Sequence, residues 1–490
     1  MCKTIPNHLI HYPGLFEVHG EQFVAMQSWQ MMFQVDADTG EEYTYENMRD
    51  RSVRCALWMR SQGLMRGDVV AICSHNHLDV AIACFDLRHL LNLMKPKMTF
   101  VSNKSITAVA DAVQQTIIDS KIINFEKYPS FPEFQILIAE PKIEEVKNFS
   151  CTHIESLDEI ALIVCTSGTT GLPKGAAMSH GAFLRQLYVM SKVKGTGNDL
   201  ISLTLHILLS VHRISNYLIL VSFFHQPKVI VLASDMVHRL VKSDVLDKYD
   251  LSSLTGVIYG GTSLAISSHE ALSKLVPKAF IFAGYGTTEI GGSFSTQTVN
   301  SKPGSCGSIR ENAQLKVIDP NTGCKLGPNQ KGELLLKTAS QMNFYYNDPK
   351  VTAETVDEEG WFHSGDLGYY DEDGEIFFLE RLKDLIKYRG YHVAPFQIET
   401  VLLSHPGVKE VVVVGVPHPV DDEHPVAFVV RAKNPTGYDL VDLVAAELSD
   451  SKRLRGGVRF MYRLPKSPSG KVLRKTLRLS AISQSRIHGN

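Results

Sequence analysis

The sequence predicts an α/β protein in two parts: a large N-terminal domain of layered α/β sheets carrying a β-subdomain, and a small, mobile α+β C-terminal domain. Three observations predict it. Short apolar runs alternate with helix-period segments through the first half of the chain, the pattern of sheets covered by helices. From 307 to 378, turn sequences such as Asp319-Pro320-Asn321-Thr322-Gly323 and Asp371-Glu372-Asp373-Gly374 separate short strands, as a β-subdomain requires. Past Arg381 the pattern changes to a strand-and-helix unit of about a hundred residues, large enough to fold alone. The charged segment Glu380-Arg381-Leu382-Lys383-Asp384 reads as the hinge, giving domains 1–380 and 381–490.

Each element follows from a local signal. Val53, Ala56, Leu57 and Leu64 trace one helical face, and Val69–Cys73 then reads as a parallel strand. Asp86–Lys95 reads as a helix and Met98–Val101 as a strand. Ile160–Cys165 is apolar throughout and reads as a buried strand. Ser179 is placed to cap a helix with Phe183, Leu184, Leu187 and Tyr188 on one face. Val257–Tyr259 ends at Gly260-Gly261 and Ala279–Phe282 ends at Gly284, strand-to-turn junctions where α/β proteins place ligand contacts. In the C-terminal unit a helix (Phe396–Leu403) precedes the strands Val408–Val416 and Val426–Val430, a helix (Leu440–Leu448) and the strand Val458–Tyr462.

Composition narrows the function. With 44% hydrophobic residues, 21% charged residues and a net charge of −2, the chain has no electrostatic footprint for nucleic acid or an anionic membrane. No apolar window is long enough for a transmembrane segment, and the start lacks the apolar stretch of a signal peptide. The eight cysteines are scattered with no CxxC pair, which reads as buried thiols in a reducing compartment. The C-terminus is not a Ser-Lys-Leu type address, so the expected location is cytoplasmic.

The most informative stretch is Thr166-Ser167-Gly168-Thr169-Thr170-Gly171-Leu172-Pro173-Lys174-Gly175. Hydroxyls among glycines offer donors without bulk, successive backbone N–H groups make an anion-binding concavity, and Lys174 adds a point charge. A polyphosphate is the natural ligand. The loop is not a Walker A sequence, because Lys174 follows proline and Gly175 stands where a Mg²⁺-binding hydroxyl belongs.

Four further motifs follow in order: Gly284-Tyr285-Gly286-Thr287-Thr288-Glu289, Gly360-Trp361-Phe362-His363-Ser364-Gly365-Asp366, Arg381-Leu382-Lys383-Asp384-Leu385-Ile386-Lys387-Tyr388-Arg389-Gly390, and Pro465-Lys466-Ser467-Pro468-Ser469-Gly470-Lys471. Together with the loop they resemble the adenylate-forming superfamily, in its luciferase/4-coumarate–CoA ligase branch, over nearly the whole chain. The resemblance implies an ATP-dependent carboxylate–CoA ligase acting on a small-molecule carboxylic acid, with ATP, Mg²⁺ and coenzyme A as its cofactors. A luciferase-type monooxygenase and a catalytically impaired nucleotide-binding homologue are the alternatives. It further implies that Thr166, Ser167, Gly168, Thr169, Thr170 and Lys174 hold the β- and γ-phosphates, that Tyr285 stacks on adenine, and that Gly261, Thr262 and Ser263 line the base. Thr288 would touch the α-phosphate and Glu289 would hold Mg²⁺. Asp366 would accept from both ribose hydroxyls, with Arg381 assisting. Lys471 would be the catalytic lysine of adenylation. Lys383 falls at the hinge, and the alternate face would bring Lys387, Arg389 and Gly390 toward coenzyme A.

The chain departs from that pattern by omission. The helix ending near Cys84-Phe85 runs straight into Asp86–Lys95, where a strand and loop should intervene, and a strand and helix are missing after Phe223-Phe224-His225-Gln226. The acyl-pocket motif reads Leu203-Thr204-Leu205-His206-Ile207-Leu208, without its usual proline and glycine, and His206 is a candidate pocket residue. Phe344, Thr262-Ser263 and Glu380 are smaller departures.

Overall fold

The computed structural model describes residues 32–35, 42–73, 87–116, 118–166, 173–191, 229–241, 251–261, 264, 266–432, 437–465 and 472–487. Both expected omissions, at Cys84-Phe85 and after Gln226, the pocket motif with His206, and the residues Ser167–Leu172, Thr262, Ser263 and Lys471 lie outside the described residues. The chain divides into two compact units, residues 1–181 with 190–210, and residues 182–189 with 211–490.

In the first unit a short antiparallel pair, β1 (Met32–Val35) and β2 (Glu42–Thr44), leads into helix α1 (Tyr45–Ser61). The Thr44 hydroxyl accepts from the Asn47 amide and the Asn47 side chain accepts from the Thr44 amide, so two otherwise unpaired N–H groups at the helix start are satisfied. Strands β3 (Val70–Cys73), β4 (Met98–Val101) and β5 (Lys121–Asn124) form a parallel sheet in that order, connected through α2 (Leu87–Met94) and α3 (Ile106–Thr116). Its aromatic core is built on Phe100, which lies 5.7 Å from Phe125 in a stack and meets Trp58 and Phe134 edge-on. Strands β6 (Ile160–Thr166) and β7 (Lys174–Ser179) form an antiparallel hairpin. The expectation of a buried β6 is corrected in part: Ala161 is exposed, Thr166 is buried and the residues between are half-buried, because pairing with β7 satisfies the strand's edge but does not cover its faces. Helix α4 (His180–Ser191), whose residues 182–189 are assigned to the second unit, starts at the residue after Ser179, as the sequence suggests.

In the second unit β8 (Val229–Ala233), β9 (Gly256–Gly260) and β10 (Phe280–Thr287) run parallel, with α5 (Ser234–Val241) and α6 (Ile266–Leu275) as crossovers. The antiparallel strands β11 (Gly292–Thr296) and β12 (Ser308–Ile309) extend the sheet from β10. The β-subdomain is a four-stranded antiparallel sheet of β13 (Ala313–Ile318), β14 (Gly332–Thr338), β15 (Phe362–Tyr370) and β16 (Ile376–Arg381), paired in chain order. Next come the hairpin β17 (Ile386–Tyr388) and β18 (Tyr391–Val393), then α7 (Pro395–Ser404). The long antiparallel pair β19 (Val408–His418) and β20 (Asp422–Arg431) follows, then α8 (Gly437–Glu447), β21 (Val458–Met461) parallel to β20, and α9 (Arg474–Ile487). Alternation along β19 sends Val411 and Val413 into one core and Val412, Val414 and Val416 into another, so this strand is buried on both faces. The α/β class holds.

Among the described residues no helix is long and apolar enough to cross a membrane. The expectation of buried thiols holds for Cys73 but not for Cys151 and Cys324, which are exposed. Replacing Phe100, 3% exposed, by alanine removes the ring on which three aromatics converge. The expected loss is about 3–5 kcal/mol, read as an earlier urea unfolding transition; an unchanged midpoint would contradict this packing account.

Candidate functional site

Strand pairing in the β-subdomain places Asp366 on β15 directly opposite Arg381 on β16. Their side chains meet, with the Arg381 Nε 2.7 Å from the Asp366 Oδ1. Asp366 is fully buried, and the Tyr285 hydroxyl donates to its Oδ2 at 2.7 Å. Burial pushes the Asp366 carboxyl above its ordinary range, and the Arg381 guanidinium pulls it back. Burial, reinforced by the Asp366 charge, raises the Tyr285 phenol well above its usual value, so it stays a neutral donor. Tyr285 itself packs 6.0 Å from Phe378 and edge-on to Phe294. Oδ1 receives charge from Arg381 but no well-directed hydrogen bond among the described residues. It is an open acceptor in a dry place.

The motif that carries Tyr285 does not turn at Gly284 as the sequence suggests. Strand β10 continues to Thr287, paired with β11, and its register shifts between Tyr285 and Gly286. A Cβ on Gly286 would lie 1.9 Å from the Gly292 carbonyl oxygen, so this close approach admits only glycine. A 3₁₀ turn over Thr288–Ile290 then presents Glu289. The Tyr345 hydroxyl donates to the Glu289 Oε1 at 2.9 Å, and the Met342 amide donates to the Glu289 carbonyl at 2.7 Å. Among the described residues the Thr287 hydroxyl, next to the predicted Thr288, is buried without a hydrogen-bond partner. Gly261, exposed after β9, takes φ +89°, a left-handed conformation that suits glycine.

In the first unit, Thr166 and Lys174 are cross-strand partners that close the β6–β7 hairpin, so the predicted phosphate loop is anchored by strand residues at both ends. The Thr166 hydroxyl is buried without a partner among the described residues.

Lys387 and Arg389 engage a separate set of acids. The Lys387 amide donates to the Glu423 Oε2 at 3.0 Å, while the Arg389 Nε lies 2.5 Å from the Asp421 Oδ1. Arg389 and Gly390, at φ +47° and +78°, make the β17–β18 turn.

Sequence reasoning missed the partners: Tyr345 and the acids around the hinge. Glu380 is nearly buried; its Oε1 accepts from its neighbour Arg381, and its Oε2 from Phe396 at the start of α7, each at 3.0 Å. Arg474 grips Glu399 with two nitrogens, at 2.7 and 3.1 Å, and donates to the Val413 carbonyl. Burial pushes the Glu380 carboxyl up to about 6 from 4.5, Arg474 opposes the rise and Glu399 adds to it. The substitution of a larger acid before Arg381 was the only sequence signal.

The AMP-binding enzyme family matches residues 86–225 and 223–346, and the AMP-binding enzyme C-terminal domain matches residues 397–471. The first match begins at 86 and its two segments meet at 223–225, beside the two junctions where elements are expected to be missing. The chain is 33% identical to luciferin 4-monooxygenase of Nipponoluciola cruciata over 90% of both chains. It is 31% identical to 4-coumarate–CoA ligase 3 of Oryza sativa subsp. japonica, over 91% of this chain and 88% of the relative. The solved structure of the anthranilate–CoA ligase AuaEII in complex with anthranoyl-AMP superposes with a TM-score of 0.79 at 20% identity, covering 91% of this chain and 94% of that one; it shows the shared fold.

The raised Glu380 pKa has a testable sign. The proton is held more tightly folded than unfolded, so this contribution to stability is complete below about pH 4.5 and is lost as pH rises through about 6. The loss amounts to roughly 2 kcal/mol. Glu380→Gln is expected to flatten the wild-type stability slope between those pH values; an unchanged slope in the variant would contradict the assignment.

Proposed function

Because this chain belongs to the AMP-binding enzyme family, we propose that it is an ATP-dependent carboxylate–CoA ligase. The substrate class is an aryl-propenoate or a medium- or long-chain fatty acid. In the first half-reaction the carboxylate attacks the α-phosphorus of ATP, forming an acyl-adenylate and releasing pyrophosphate. In the second, the thiol of coenzyme A attacks the acyl carbon and AMP leaves. Both steps move negative charge onto oxygens, so placed cations and donors matter more than a protein nucleophile.

The observation that carries this reading is the Tyr285–Asp366–Arg381 set, a buried carboxylate whose Oδ1 lacks a directed donor among the described residues. An acceptor of that kind suits the paired hydroxyls of a ribose, and Arg381, 29% exposed, supplies charge beside it. Tyr285 would pack on the base as well as fix Asp366. The phosphates would fall to Thr166, whose buried hydroxyl has no partner among the described residues, and to Ser167, Gly168, Thr169, Thr170 and Lys174. Gly261 and Thr262 would line the base, and Thr288 would meet the α-phosphate.

Glu289 fits a hard cation: it is a half-buried carboxylate whose neighbour Tyr345 is a neutral donor, its phenol raised by burial and by the Glu289 charge. Mg²⁺ held there would neutralise charge on the phosphates. We place the domain boundary at 380/381 and the hinge at Lys383. Lys471 would then serve adenylation, and Lys387, Arg389 and Gly390 the coenzyme A step. A second reading, a luciferase-type monooxygenase, draws on the 33% identity to luciferin 4-monooxygenase; it shares the first half-reaction.

Pyrophosphate release against a panel of carboxylic acids, with and without coenzyme A, tests the proposal. The expected result is acid-dependent pyrophosphate release, followed by coenzyme A-dependent AMP release without light. Light emission in place of thioester would select the second reading, and no release with any acid would overturn both. Lys471→Ala is expected to lower adenylation by a factor of about 10² or more while retaining thioester formation from supplied acyl-adenylate; equal loss of both would contradict its role.

A further inference from the structure

The hairpin of β19 and β20 carries a cluster that neither half-reaction uses. Strand pairing ends at His418 opposite Asp422, with Val416 opposite His424, so the two imidazoles are diagonal neighbours on one face. Their rings stack with centroids 3.8 Å apart and planes within 18°. Asp421, in the turn between the strands, lies beneath both. Its Oδ2 is 2.7 Å from the His424 Nε2 and 3.5 Å from the His418 Nδ1.

We propose that His418, Asp421 and His424 bind a divalent transition-metal ion of the zinc class. Two imidazole nitrogens and one carboxylate oxygen are a borderline donor set that favours such ions over Mg²⁺ or Ca²⁺, and three protein donors leave a coordination position open. The donor atoms all lie within 4.8 Å of one another. Bonds of ~2.1 Å at tetrahedral angles put donors about 3.4 Å apart, so closing the site needs adjustment on the order of 1 Å. The side chains can supply it, because His418 is 36% exposed and His424 19%.

The carboxylate is already oriented for the task. Arg389 holds the Asp421 Oδ1 at 2.5 Å and its amide donates to the Asp421 carbonyl at 3.2 Å, leaving Oδ2 turned to the imidazoles. Metal-binding carboxylates characteristically have such a partner on the far oxygen. The opposing interactions are weak. The His418 Nδ1 accepts from the Asp421 and Val420 amides at 3.2 and 3.4 Å, in a turn where Val420 is 79% exposed and water can replace the imidazole. The alternative, a His424–Asp421 hydrogen bond with His418 only capping the turn, predicts no metal dependence at either histidine.

Calorimetric titration of Zn²⁺ into the chelator-treated full-length chain tests the site, because the chain's 19 histidines and eight cysteines make the difference between variants the readout. The wild type is expected to bind one equivalent more than the His418→Asn/His424→Asn variant, and each single substitution to weaken that equivalent by about tenfold or more. Co²⁺ in place of Zn²⁺ should give visible absorption bands that the double variant lacks. Equal stoichiometry in wild type and double variant, or no equivalent tighter than on the order of 0.1 mM, would overturn the site. If the double variant fails to fold, His418→Asn alone decides on the same criterion.

Discussion

A carboxylate without access to water, Asp366, is the constraint around which the second unit is arranged. Burying an unpaired charge is prohibitive, so the residue requires a cation and a donor at fixed positions. The cation comes from the next strand, because register sets Arg381 opposite. The donor comes from a different sheet, because β10 is carried past its glycines far enough to deliver the Tyr285 hydroxyl. One side chain thus ties the parallel sheet to the β-subdomain. The arrangement leaves Oδ1 incompletely satisfied among the described residues, and the proposed nucleotide site rests on that acceptor.

That constraint also explains what could be read from the sequence. The β-subdomain and the C-terminal strands were legible, because turn sequences and alternating apolar residues fix them locally. Met98–Val101 matches the predicted strand, and α7 at Pro395–Ser404 is one residue longer at each end than expected. The motif residues Tyr285, Asp366 and Arg381 were legible by resemblance, and the structure joins them. Their supporting side chains were not. Tyr345 lies 56 positions from Glu289, and Arg474 lies 75 from Glu399; no local periodicity connects such pairs. The continuation of β10 beyond Gly284 was missed because glycine signals a turn from sequence alone, whereas here it permits close backbone approach.

The C-terminal unit depends on a second buried ionic set. Arg474 at the start of α9 joins Glu399 of α7 to the Val413 carbonyl of β19, while Glu380 joins the end of β16 to the first turn of α7. These bonds cross the proposed hinge at Lys383 on one side and brace the unit internally on the other. A rotation about that hinge would have to keep the Arg474–Glu399 pair and either carry or break the bond from Glu380 to Phe396. The buried acid before Arg381 is therefore a mechanical feature of this chain as well as an ionisable one.

Comparing the affinities for ATP and 2′,3′-dideoxy-ATP by calorimetry tests whether the buried Asp366 carboxylate reads the ribose of a nucleotide, as proposed. Hydrogen bonds to a charged group are worth about 1.5–3 kcal/mol, so the wild type should bind the dideoxy nucleotide about 10–100-fold more weakly, and Asp366→Asn should narrow that gap. Equal affinity of the wild type for the two nucleotides would contradict the account.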